Sequence, residues 1–285
     1  MSTFKRAYKS TFQSLIKYPA LLVPFIIFAA FELLALAIIY LAPRMPLRAL
    51  LGPPIKTFFG EIYLHYPYNF LQLANLQNLS RMFLTVCIGS ALSATVTAIV
   101  YDIYNKKAPA LTRSLKTAFK KYIYLFLTIL IVAFLLQLAT KLVNKGFIWY
   151  FKSWHSWLDP LHICINFLLA IFIQSAFIFT IPLIIIGNEK LIGSMLKSIR
   201  LYLKLLIPTT ALVAIPMLLY IPIIILRNNT QYLINAFFPE SIVLLGILAI
   251  AVASLVIDPI VTISTTYLYL LKKEGLLAKT QENKK

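Results

Sequence analysis

Two carboxylates stand where an apolar stretch should have none. Glu32 lies midway along one such stretch, and Asp258 lies within another, directly before Pro259. A charge near the centre of a bilayer costs about 2.5–3.5 kcal/mol on insertion scales, so such groups mark sites unless a partner neutralises them. A proline inside a helix frees a backbone carbonyl and can kink the chain, which makes room beside the acid. Asn166 and Gln174 place further polar groups in a third apolar stretch. Glu32, Asp258, Asn166 and Gln174 are therefore the candidates for a polar cavity that takes a cation or a lipid headgroup. The competing expectation is that each hydrogen-bonds a neighbouring helix.

A second chemistry comes from three basic segments, each running straight into a long apolar stretch: Phe4–Tyr18, Leu111–Tyr124 and Leu191–Lys204. They share a core of apolar residue, lysine and hydroxyl, in Tyr8-Lys9-Ser10, Leu115-Lys116-Thr117 and Leu196-Lys197-Ser198. Phe4, Tyr8, Phe12 and Leu15 fall on one helical stripe, and Lys5, Lys9, Gln13 and Lys17 on another; the other two segments divide similarly. A helix of this kind is expected to lie at a membrane surface with its ammonium groups among phosphates. Lys9, Lys116, Lys197 and Arg200 are the candidates for contact with lipid headgroups.

Other chemistries lack their residues. The eight glycines form no phosphate-binding loop, and no nucleophile elbow occurs. His65, His155 and His162 do not have the spacing of helix-borne metal ligands, and Cys87 and Cys164 form no CxxC pair. Both cysteines are expected as small core residues. No catalytic residue, metal or cofactor is expected, and the chain is read as non-enzymatic.

The elements that must position these groups are membrane spans. Hydrophobic residues make up 60% of the 285-residue chain and mean hydropathy is +0.84, against about 45–50% apolar residues in soluble domains. Six segments reach the roughly 20 apolar residues of a span: Pro19–Leu41, Arg81–Tyr104, Tyr122–Val143, Leu161–Ile186, Leu205–Leu226 and Ser241–Leu271. Continuous apolar runs without two-residue alternation predict helices, not a barrel. The expected fold is all-α: one integral membrane domain of six helices, three surface-lying basic helices, and a charged tail over 272–285. Tyr68–Leu79 is expected as a separate interfacial helix, and Trp149, Trp154 and Trp157 as an aromatic belt.

The net charge of +18 flanks the apolar runs, which points to anionic lipid and not to nucleic acid. The N-terminus, the loops over 105–121 and 187–204 and the tail hold 19 of the 27 basic residues. The positive-inside rule then places both termini in the cytoplasm. Arg81 falls at a span edge in this count. Asp102 and Glu189 mark cytoplasmic span ends and are expected to pair with Lys106, Lys107 or Lys190. Basic helix, span, outer connection and span recur three times, the pattern of three hairpin repeats.

Two stretches carry a family resemblance. One is Pro182-Leu183-Ile184-Ile185-Ile186-Gly187-Asn188-Glu189 with the basic helix Ser194 through Lys204. The other is Asp258-Pro259-Ile260 through Tyr267-Leu268-Tyr269, followed by Lys272-Lys273-Glu274-Gly275. In these the chain resembles bacterial six-span membrane proteins that include the membrane domain fused to some glycerophosphoryl diester phosphodiesterases. The resemblance implies a six-span fold in the bacterial inner membrane. It implies no activity, because no hydrophilic phosphodiesterase region accompanies these spans. The expected function is envelope upkeep, or movement or sensing of a lipid or small solute. The alternative is a structural or assembly factor that recruits partners or anionic lipid to the cytoplasmic face.

Overall fold

In the computed structural model, which describes residues 3–151 and 159–282, the described residues form helices and connecting turns without strands. In chain order the helices are α1 (Thr3–Lys17), α2 (Val23–Leu41), α3 (Leu47–Phe59), α4 (Asn69–Leu84) and α5 (Ser90–Tyr104). They continue with α6 (Leu111–Lys120), α7 (Tyr122–Phe151), α8 (Asp159–Phe177), α9 (Thr180–Ile185) and α10 (Leu191–Lys204). The last five are α11 (Leu206–Leu218), α12 (Ile221–Asn228), α13 (Thr230–Ala236), α14 (Ser241–Ile250) and α15 (Asp258–Glu282). Wider π-helical turns, Thr85–Gly89 and Ala251–Ile257, join α4 to α5 and α14 to α15.

Five helical runs are long and apolar enough to cross a membrane: Pro19–Leu41, Asn69–Tyr104, Tyr122–Phe147, Pro160–Ile185 and Ser241–Glu274. A sixth arises if α10 and α11, bent by 97°, count as one. Large apolar side chains such as Ile26, Leu34, Phe134, Leu168, Phe172 and Leu248 are exposed on these helices. In water they would cost stability; in a bilayer they meet acyl chains. This is the make-up of a multi-pass membrane protein.

Three elements differ from the sequence reading. Tyr68–Leu79 is not a separate interfacial helix, because Asn69 opens the same 36-residue run that contains the second span. Phe70, Leu73, Ala74 and Gln77 are buried there, so the segment packs as core. The stretch Leu205–Leu226 is two helices with a break at Leu219–Tyr220. Pro216 and Pro222 each remove a backbone donor, and α11, with 13 residues, reaches only about 20 Å. The third apolar helix extends to Phe151, so part of the expected outer loop is helical. Trp149 is 82% exposed on its last turn, whereas Trp154 and Trp157 lie outside the described residues, as do positions 283–285 of the tail.

By internal contacts the chain divides into two compact units. One comprises Leu22–Gly89 and Pro216–Pro259, with a core of residues such as Leu36, Phe70, Leu73, Ile223, Leu245 and Ile250. The other comprises Met1–Leu21, Ser90–Ile215 and Ile260–Lys285. Its centre is α5, where every residue from Ala94 to Val100 is buried. Small side chains let neighbouring helices approach that closely.

The second unit also holds the three basic helices, and each buries small residues, joined in α10 by Tyr202. Ala7, Thr11 and Ser14 are buried in α1, Ser114 and Ala118 in α6, and Ser194 and Ser198 in α10. Ser14 Oγ and Tyr267 Oη share a hydrogen bond of 2.5 Å, and Ser198 Oγ donates to the Ala176 carbonyl at 2.8 Å. Each basic helix ends at one break residue, Tyr18, Lys121 or Leu205, after which the next helix begins. The turns that lead into α6 and α10 also match. Each reverses the chain through one residue with positive φ, Lys106 at 56° and Asn188 at 54°. In the buried register Ser194 aligns with Ser114, which shifts the third segment by one residue from the alignment of its Leu-Lys-Ser core.

Candidate functional site

The charged centre of the first unit is built on three helical runs. Glu32 is on the buried face of α2, beside Phe28, Ala29 and Leu36. Arg81 is on α4, one turn before the π-turn Thr85–Gly89, and Thr85 Oγ1 donates to the Arg81 carbonyl at 2.8 Å. Asp258 opens α15 directly after the second π-turn, which contains Ser254. Each π-turn inserts an extra residue and re-aims the side chains around it, a device frequent at functional sites.

Arg81 bridges the two carboxylates. Its Nη1 stands 3.3 Å from Glu32 Oε1, and its Nη2 donates to Asp258 Oδ2 at 3.0 Å. Ser254 Oγ donates to Glu32 Oε2. The centre is sealed at one end and open at the other: side-chain exposure is 3% for Glu32, 26% for Arg81 and 37% for Asp258. A guanidinium and a carboxylate held side by side at a partly accessible edge can exchange their mutual contact for a ligand with both charges.

A second arginine extends the polar row. Arg227 Nη2 donates to Gln77 Oε1 at 2.6 Å and Nη1 to Asn78 Oδ1 at 2.5 Å. Gln77 Nε2 in turn donates to the Gly246 carbonyl at 3.0 Å. A Cβ on Gly246 would lie 3.0 Å from Gln77 Oε1 and 3.2 Å from Leu36, so glycine admits this approach. Two arginines and two carboxylates make the row neutral in formal charge, the condition under which ionised groups persist in a low-dielectric interior.

The four cavity candidates divide between the units. Glu32 and Asp258 meet at Arg81, whereas Asn166 and Gln174 are on α8 in the other unit. There Asn166 Nδ2 is 3.0 Å from His162 Nε2, which is 2.7 Å from Asn144 Oδ1. Gln174 lines a cavity of about 180 Å³ with Ser93, Thr97, Thr128, Thr262 and Thr265. Of the headgroup candidates, Lys9, Lys116 and Arg200 are exposed, and Lys197 Nζ lies 2.5 Å from Glu189 Oε1. Cys164 is exposed on α8 and is not a core residue.

Sequence reasoning missed Arg81, Arg227 and Gln77 as site residues, although Gln77, Arg81 and Thr85 recur at four-residue spacing. It also missed the partners of the span-end acids. Asp102 pairs with Arg113 at 2.6 Å and Glu189 with Lys197, so each acid ties its span end to the basic helix that follows. Lys121 is likewise not spent on the surface. Its ammonium donates to the Ile184 carbonyl at 2.6 Å and to Asn188 Oδ1, satisfying the open end of α9. Burial lowers its pKa from the ordinary lysine value.

No protein-family model, curated protein or solved structure matches this chain.

Proposed function

We propose that this chain is a non-enzymatic membrane protein of the bacterial inner membrane. It binds and moves a small zwitterionic group, foremost the headgroup of a lipid, at the Arg81 centre. The carrying observation is the Arg81–Asp258 pair at the accessible edge of a centre whose other acid, Glu32, is buried. A phosphate opposite Arg81 and an ammonium opposite Asp258 would replace both halves of the ion pair, so the site need not leave a charge bare. The two π-turns and the broken α11–α12 segment supply irregular backbone around the row, which is tolerated at membrane depth where it lines a polar site.

In this proposal α1, α6 and α10 lie at the cytoplasmic interface as three related amphipathic helices, with both termini on that side. The excess of lysine and arginine around them supports the orientation. Their buried small residues at matching positions and the break that follows each support a common origin of three hairpins. Membership in the six-span family that includes the phosphodiesterase-linked membrane domain belongs to the same proposal.

The test is movement of phosphatidylethanolamine, labelled on its acyl chain, between the leaflets of proteoliposomes. Arg81→Gln and Asp258→Asn are each expected to lower the protein-dependent rate at least tenfold. Unchanged rates in both variants would make the centre a structural clamp and favour the assembly-factor reading.

A further inference from the structure

We propose that the basic cavity between α10 and the end of the apolar part of α15 binds the headgroup of an anionic phospholipid. It lies in the unit that lacks the Arg81 centre, and the proposal does not rest on that centre. The cavity holds about 320 Å³, the lower end of the range for small-molecule sites and the scale of a headgroup, not of a whole lipid.

Its polar wall is cationic. Lys197, Arg200 and Lys204 come from one face of α10, at spacings of three and four residues, and Lys272 and Lys273 come from α15. Among the described residues, Glu189 is the acid on this wall, and its carboxylate already accepts from Lys197 Nζ at 2.5 Å. Several cations therefore face the space without an acidic counterpart there. A phosphodiester satisfies them through charge-assisted hydrogen bonds, whereas the ammonium of choline or ethanolamine would be repelled. Tyr269 adds a phenol to the same wall.

The rest of the lining is apolar, from Phe179, Leu183, Leu201 and Leu205, and offers a surface to the glycerol and first acyl carbons. The apolar run Pro160–Ile185 ends beside the cavity, as does the run Ser241–Glu274. Gly187 stands so near Tyr269 that a Cβ would lie 3.2 Å from the phenol oxygen. Two apolar runs thus end at the cavity, and a span end is where a bilayer presents its phosphates, which favours a lipid over a soluble phosphate.

The experiment is lipid titration of the full-length protein in neutral detergent, followed by native mass spectrometry. The probes are phosphatidylglycerol, phosphatidylcholine and glycerol 3-phosphate. Parent protein is expected to bind phosphatidylglycerol at least tenfold more tightly than phosphatidylcholine, and glycerol 3-phosphate at equal concentration should not displace it. Arg200→Gln with Lys204→Gln, and separately Lys272→Gln with Lys273→Gln, should each weaken phosphatidylglycerol at least tenfold. Lys107→Gln with Lys120→Gln removes the same charge from exposed positions outside the cavity and should change binding less than twofold. Melting of every variant is recorded, and Arg200→Lys with Lys204→Arg should restore binding if a glutamine pair folds poorly. Equal loss in the 107/120 control, equal binding of phosphatidylcholine, or displacement by glycerol 3-phosphate would each overturn the proposal.

Discussion

Removing Arg81 separates the two roles its cluster could have. Arg81→Met leaves Glu32, only 3% exposed, facing the interior with Ser254 as its remaining hydrogen-bond partner. Breaking one side of a buried ion pair costs about 3–5 kcal/mol, because the abandoned charge has no water to return to. For a chain of this size each kcal/mol moves the melting temperature by about 2–4 °C, so the variant should melt about 6–20 °C lower. Glu32→Leu combined with Arg81→Met takes out the buried charge and its partner together. Asp258 lacks Arg81 in both variants, so the comparison isolates the cost of stranding Glu32. The double variant should therefore recover the part of the loss that Glu32 causes. Thermal unfolding in one detergent, followed by intrinsic fluorescence, reads both values. A single variant within 2 °C of the parent would refute the reasoning, as would a double variant no more stable than the single.

Two further outcomes follow from local geometry. Gly246→Ala places a methyl 3.0 Å from Gln77 Oε1; this overpacking should cost about 1–3 kcal/mol, read as a lower melting temperature. Tyr8, whose hydroxyl lies 3.4 Å from the Leu212 carbonyl, has its pKa pushed up by burial to about 12. The folded state then keeps a proton that the unfolded chain sheds near pH 10, so stability is full below pH 10 and falls between about pH 10 and 12. Tyr8→Phe should flatten that fall in alkaline melting curves.

How much of this was legible depended on whether one residue or a whole packing arrangement decided the matter. Glu32 and Asp258 were visible because a carboxylate in an apolar run is expensive in any arrangement. Arg81 was not, because polar residues from Gln72 to Ser80 lower the hydropathy of its helix and suggest a span that starts later. Tertiary burial of Phe70, Leu73 and Gln77 carries that helix on as one 36-residue run. The break in Leu205–Leu226 follows from Pro216 and Pro222, which an apolar count overlooks. The basic helices were legible from their stripes, but their buried register was not. Lysine spacing aligned the third segment, whereas Ser194 and Ser198 set which face packs. The grouping of Asn166 and Gln174 with the two acids failed for a related reason: polarity within spans says which residues seek partners, not which helices supply them.

The most direct test of the central claim uses the neutralised but folded chain. Glu32→Leu with Arg81→Met, reconstituted at the same protein-to-lipid ratio as the parent, is assayed for movement of acyl-labelled phosphatidylethanolamine between leaflets. If the Arg81 centre handles the headgroup, the double variant keeps its fold and its rate falls to that of protein-free vesicles. A folded double variant that moves the lipid at the parent rate would contradict the account.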